Sequence, residues 1–251
     1  NAMCVGIIRH DKIVRGKAAG VGNSVMIVGA ATGRDGMHGA SFASGELSDE
    51  NPDQGSPMQV GDPFKEKQLM EACLELLEKE WVIGVQDMGA AGVVSSTCET
   101  AARAGSGIEL DVALVHQRDE NMKPHEIMIS ESQERMLVIV EKGHEDDVKE
   151  IFKKYDLEAS KFGTVTDDGM IRILENGKLV GEVPAKSLAE GVPIVKRESR
   201  RPAFLDELNI DISKIPVPED LNQVLLKLFD SPNNANKAYA YWQFDQTAGT
   251  D

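Results

Sequence analysis

Residues 82–104 read VIGVQDMGAAGVVSSTCETAARA, and the fold turns on them. Val82–Gln86 is a short apolar run suited to a strand. Asp87 closes it, and Gly89-Ala-Ala-Gly92 follows with no bulky side chain. Small residues from about Ala91 to Ala104 then suit a helix, which Gly105 stops. A strand that passes to a helix through a bare loop puts that loop at its carboxyl end, where α/β layers hold ligands. A bare helix N-terminus can receive phosphate, and a carboxylate just before it can hold Mg2+ bridging that phosphate. An Asp that only caps the helix explains the same pattern.

Working outward, Ser24–Ala30 (SVMIVGA) reads as a strand too apolar to alternate, hence buried. Met3–Arg9 reads as another strand. Asp62-Pro63 opens a helix, with Leu69, Cys73, Leu76, Leu77 and Trp81 at helical spacing. Ile108–Val115 and Arg135–Glu141 read as strands. Val148, Ile151, Phe152 and Tyr155 mark an amphipathic helix with acids at its start and lysines at its end. Strands follow at Lys161–Val165, Met170–Leu174 and Leu179–Val183, the last two joined by a Glu175-Asn-Gly-Lys turn. Composition shifts after Pro193. The expected division is a domain over 1–193, a linker over 194–218 and opening helices over 219–251, at Glu219–Phe229 and Asn234–Phe244. A strand with nothing before it and final helices with no core to cover read as a piece of a longer protein.

The chain has 251 residues, 27 Lys plus Arg against 42 Asp plus Glu, and a formal net charge of −15. That balance argues against nucleic acid and anionic membranes as partners, since both need clustered cations. No apolar run is long enough to span a bilayer. Three cysteines (Cys4, Cys73 and Cys98) cannot all pair, and none lies in a C-x-x-C, which fits a reducing cytoplasm. The 23 glycines and only 12 aromatic residues favour backbone-lined loops over stacking surfaces.

Three further features bear on chemistry. Gly33, Gly36 and Gly39 make a Gly-x-x-Gly-x-x-Gly loop that suits an anion, although it is neither a P-loop nor a dinucleotide fingerprint. A plain turn explains it equally, with Arg34, Asp35 and His38 as solvated side chains. Ser44–Met58 reads as a long exposed loop. Ser130-Glu-Ser-Gln-Glu-Arg135 abuts an apolar strand; it suits either hydrogen bonding to a polar small molecule or a solvent-facing turn. No cysteine sits in a nucleophile elbow; Cys73 and Cys98 fall on helices at core-facing positions. The five histidines lack metal-ligand spacing. His144 reads as a helix-start residue, and His10, His116 and His125 as surface ones.

Together these stretches carry a resemblance. Asn1-Ala-Met-Cys-Val-Gly6, Thr32–Ala40 (TGRDGMHGA), Gln59-Val-Gly-Asp-Pro-Phe64, Gln86–Gly92, Gly105–Asp111 and Ser130–Met136 closely resemble phosphoribosylformylglycinamidine synthase, the synthetase subunit of the small bacterial type, over the whole chain. The resemblance implies an α+β fold: a mixed sheet with helices, like the C-terminal domain of aminoimidazole-ribonucleotide synthetase and partly ferredoxin-like. It implies an ATP-dependent C–N ligase of purine biosynthesis. Formylglycinamide ribonucleotide, ATP and glutamine-derived ammonia would give formylglycinamidine ribonucleotide, ADP and phosphate. Ammonia would come from a separate glutaminase subunit, with a small third subunit completing the complex.

Matched motif by motif, the resemblance makes Gln59, Glu131, Ser132 and Gln133 substrate-binding and Asp87 a Mg2+ ligand. The family's general-base histidine and ATP-contacting lysine have no match here, so no catalytic residue is assigned and the isolated chain is expected to be inactive. Two other readings compete: a non-catalytic ligand-binding or scaffold module, and a related kinase or synthetase such as thiamine-phosphate kinase or selenophosphate synthetase.

Overall fold

The computed structural model describes residues 6–37, 59–191, 194–205, 208 and 211–241. The chain forms two compact units, Asn1–Pro193 and Ile194–Asp251. The first unit is built on seven strands: β1 (Ser24–Gly29), β2 (Val82–Asp87), β3 (Gly107–Asp111), β4 (Arg135–Val140), β5 (Glu158–Thr166), β6 (Met170–Glu175) and β7 (Lys178–Pro184). They lie in one sheet in the order β2-β4-β1-β5-β3-β6-β7. Pairing is antiparallel except between β3 and β6, so the sheet is mixed. Its helices are α1 (Pro63–Leu77), α2 (Gly92–Ala104), α3 (Pro124–Ile129), α4 (Glu145–Lys154) and α5 (Ala185–Ala189). This is the α+β architecture expected.

The sheet separates two cores, and the central strands supply both. On β1, Val25 and Ile27 enter one core while Met26 and Val28 enter the other; on β4, Leu137 and Ile139 alternate with Val138 and Val140. Period-two alternation with both faces covered makes each residue apolar, which is why SVMIVGA shows no polar face. Val93, Cys98 and Ala101 of α2 and Ile127 and Met128 of α3 close the first core. Leu69, Ala72 and Leu76 of α1 and Val148, Ile151 and Phe152 of α4 close the second. Each such large side chain contributes roughly 1.5–3 kcal/mol. Burial pushes the thiols of Cys73 and Cys98 up to about 12 and about 11, which disfavours the thiolate form.

Several expectations need correction. Residues 6–9 form no strand, and Ile7 and Ile8 are exposed rather than buried. The strand expected over Ile108–Val115 stops at Asp111, whose carboxylate accepts the Ala113 N–H and turns the chain into a 3-10 helix at Val112–Leu114. His116 is not a surface residue: its ring is half-buried, 3.1 Å from the Ala30 carbonyl and 3.2 Å from Ser160 Oγ. The helix α3 was not anticipated. Cys4, His38, Gly39 and the Ser44–Met58 loop lie outside the described residues.

Glu145, at the start of α4, fastens that helix to the sheet. It accepts from Ser24 Oγ at 2.6 Å, Lys161 Nζ at 2.8 Å and the Gly143 N–H at 2.9 Å. The Lys161 ammonium, then Ser24, hold its carboxyl at about 2. A carboxyl depressed in the folded state stabilises above its unfolded value, near 4.5, and loses that contribution as pH falls toward 2. Glu145→Gln is expected to flatten the fall of Tm between pH 4.5 and 2; an acid limb as steep as in the parent protein would contradict this.

The second unit contains α6 (Leu221–Asp230), capped by the Asp220 side chain on the amides of Asn222 and Gln223, and α7 (Ala238–Tyr241). The α6 residues Leu221, Leu225, Leu226, Leu228 and Phe229 are exposed.

Candidate functional site

Three stretches far apart in sequence meet at one end of the sheet. The loop after β1 carries Gly33–Gly36, the loop after β2 runs from Asp87 to Gly92, and Ser130–Glu134 precedes β4. Glu131 joins them. Its amide donates to the Asp35 carbonyl at 2.9 Å; its Oε1 accepts the Ala91 N–H at 3.0 Å, and its Oε2 accepts from Gln59 Nε2 at 2.5 Å. Gln133 Nε2 donates to Gln59 Oε1 and to the Glu131 carbonyl, both at 3.0 Å. Gly36 permits this approach: with φ +65, a Cβ there would lie 2.7 Å from Glu131 and 3.1 Å from Gln59 Cγ. The structure thus brings Gln59, Glu131 and Gln133 together.

Ser132 is placed differently. It is buried, accepts the Gly33 N–H at 2.9 Å and donates to the Asp35 carboxylate. Ser130, also buried, donates to the Gly33 carbonyl at 2.6 Å. These hydroxyls pin the glycine loop from below, so Ser132 belongs to the floor of the site. Asp35 is likewise buried, paired with Arg118 at 2.9 Å, and not the solvated residue expected. Arg34 is exposed yet anchored on Glu126 at 3.1 Å and on the carbonyls of Glu120 and Asn121. Beneath lies Arg135, only 3% exposed, whose guanidinium burial pulls down to about 10. Neither Asp35 nor Arg135 gave any signal of burial in sequence, because their partners are remote along the chain.

Asp87 is exposed at the end of β2. Its Oδ1 accepts from Gln86 Nε2 at 3.1 Å, and Gln86 Oε1 accepts from Arg103 Nη1 at 2.8 Å. It does not cap α2. The residue before that helix is Ala91, in the left-handed region at φ 59, with no side-chain cap. Gly92 follows at φ +48, where a Cβ would fall 1.9 Å from the Ser130 carbonyl oxygen. At Gly92 the loop is bare because the Ser130 carbonyl lies against it. Two of its amides are taken, Ala91 by Glu131 and Gly92 by the Gly89 carbonyl at 3.0 Å, which leaves less of this terminus for phosphate than the sequence suggests. A hollow of about 250 Å³ adjoins the triad, lined by Ala30, Asp35, Lys65, Arg118, Ser132 and Gln133 among others.

Among the described residues no three His, Cys, Asp or Glu side chains are grouped to hold a metal. Mg2+ needs no such cage: it is commonly held by one or two carboxylates, water and substrate phosphates. The exposed Asp87 carboxylate fits that role. Among the described residues no helix is long and apolar enough to cross a membrane.

A mixed sheet with helices on both faces and a polar cluster at its end defines the class. Residues 20–175 match the family model "AIR synthase related protein, C-terminal domain", and the chain belongs to that family. It is 54% identical over 252 aligned residues to the phosphoribosylformylglycinamidine synthase subunit PurL of Moorella thermoacetica, covering 100% of this chain and 34% of that protein. The same subunit of Caldanaerobacter subterraneus subsp. tengcongensis is 55% identical with the same coverage. The chain spans about a third of the length of these curated relatives. Among solved structures, Thermotoga maritima PurL complexed with FGAR superposes with a TM-score of 0.71 at 36% identity, over 89% of this chain and 36% of that one. Its complex with AMPPCP gives 0.69 at 32% identity, over 97% and 35%. The resemblance read from the motifs is borne out over the whole chain.

Proposed function

We propose that this chain supplies the ribonucleotide- and Mg2+-binding part of an ATP-dependent C–N ligase of purine biosynthesis, one that converts formylglycinamide ribonucleotide (FGAR) to the amidine. The observation that carries this reading is the meeting of Gln59, Glu131 and Gln133 beside the Asp87 loop. An amide carbonyl is a poor electrophile and its oxygen a poor leaving group. Transfer of the ATP γ-phosphoryl group to that oxygen activates the carbon; ammonia adds, and phosphate departs. The side-chain amides of Gln59 and Gln133 suit the polar amide portion of such a substrate, and Glu131 orients Gln59. Ser132 acts indirectly, by holding Gly33 and Asp35 in place. Mg2+ held by Asp87 would offset charge on the transferring phosphoryl group. The residues that hold the rest of ATP have no match in this chain. Ammonia from a glutaminase subunit and a small third subunit complete the proposal, with a cytoplasmic setting favoured by the free Cys73 and Cys98.

Gln133→Ala in the full-length PurL-type subunit carrying this sequence is expected to raise KM for FGAR about tenfold, since the substrate loses one of its side-chain amide partners and Gln59, still bonded to Glu131, loses the donor to its Oε1. Steady-state kinetics with ammonium as nitrogen source measures this. An unchanged KM would remove Gln133 from the site.

A further inference from the structure

We infer that Arg135 is a positioning residue for the substrate, holding the backbone of 130–132 so that Glu131 and Gln133 present their side chains to the site. This rests on the reading above. Three of its nitrogens reach three acceptors: Nε to the Ser132 carbonyl at 2.8 Å, Nη2 to the Ser130 carbonyl at 2.6 Å and Nη1 to Thr32 Oγ1 at 2.9 Å. Ser130, Ser132 and Arg135 are buried, while Glu131 and Gln133 are only half-buried. The alternation follows from the guanidinium drawing two carbonyls inward on either side of Glu131. Thr32 ties the same cation to the start of the glycine loop, so one side chain holds both walls of the cluster. Charge pairing does not explain it: Asp35, the carboxylate in its field, is bonded to Arg118 and Ser132 instead. What the site uses is the planar fork. A lysine carries the same charge but gathers its donors on one nitrogen, which cannot serve three acceptors so placed.

The test is Arg135→Lys and, as a milder change, Thr32→Val, in the full-length subunit, with KM for FGAR, KM for ATP and kcat measured beside Gln133→Ala. Arg135→Lys is expected to raise KM for FGAR about tenfold, with KM for ATP unchanged and the smaller effect on kcat; Thr32→Val is expected to raise it about threefold. If Arg135→Lys does not fold, Thr32→Val decides alone. A normal KM for FGAR in the folded variants, or equal losses in both KM values and kcat, overturns the inference while leaving the site reading intact when Gln133→Ala still raises KM. If Gln133→Ala has no effect either, the site reading fails and the inference with it.

Discussion

Asp87→Asn in the full-length subunit is expected to lower kcat/KM for ammonia-dependent synthesis on the order of 100-fold or more. The side chain keeps its size and can still accept from Gln86, so the fold should be unaffected. What disappears is the negative charge at the end of β2, the only contribution Asp87 makes in the proposed reaction. Charge offset on a transferring phosphoryl group is worth several kcal/mol, and about 1.4 kcal/mol is a factor of ten in rate. The loss should be recovered in part by raising Mg2+, while KM for FGAR changes little. Rates and Mg2+ titrations measured on parent and variant check this. Full activity in the variant would show that Asp87 holds no metal, and would favour a ligand-binding module without a catalytic part.

The second large effect is on stability. Gly92→Ala places a Cβ 1.9 Å from the Ser130 carbonyl oxygen at a φ of +48. The left-handed conformation costs about 1 kcal/mol or more for a residue with a Cβ, and overpacking against backbone adds roughly 1–3 kcal/mol. That carbonyl cannot retreat freely, because Arg135 Nη2 is bonded to it. For a unit of this size the sum corresponds to a fall in Tm of roughly 10 °C, read by thermal unfolding. A variant that melts with the parent would mean that the 87–92 loop does not lie against the 130–134 segment as described.

How much of this was legible in the sequence depended on where each residue's partners lie. The apolar runs of β1, β2 and β4, the Asp62-Pro63 helix start and the Asn176-Gly177 hairpin are each written in a few consecutive residues, and the sequence displays them. The helix α3 escaped because six residues are too few to show a period; its signals were Pro124 and Glu126, whose carboxylate accepts the Lys123 N–H. Ile7 and Ile8 misled because apolarity marks a strand only where a sheet edge is there to receive it. The Asp35–Ser132 bond spans 97 positions and Arg135–Thr32 spans 103, so no local pattern tells a buried polar residue there from a solvated one. Gln59 is the extreme case. It carries no signal by itself and was singled out through the family resemblance, yet its side chain connects Glu131 to Gln133.

The central claim is that Gln59, Glu131, Gln133 and Asp87 face one bound substrate complex. Crystals of the full-length subunit soaked with FGAR, AMPPCP and Mn2+ test it most directly, because Mn2+ is located by its anomalous signal. The expected result is the amide portion of FGAR within hydrogen-bonding distance of Gln59 and Gln133, and a Mn2+ peak on the Asp87 carboxylate. FGAR bound elsewhere, or Asp87 still bonded to Gln86 with no metal beside it, would contradict it.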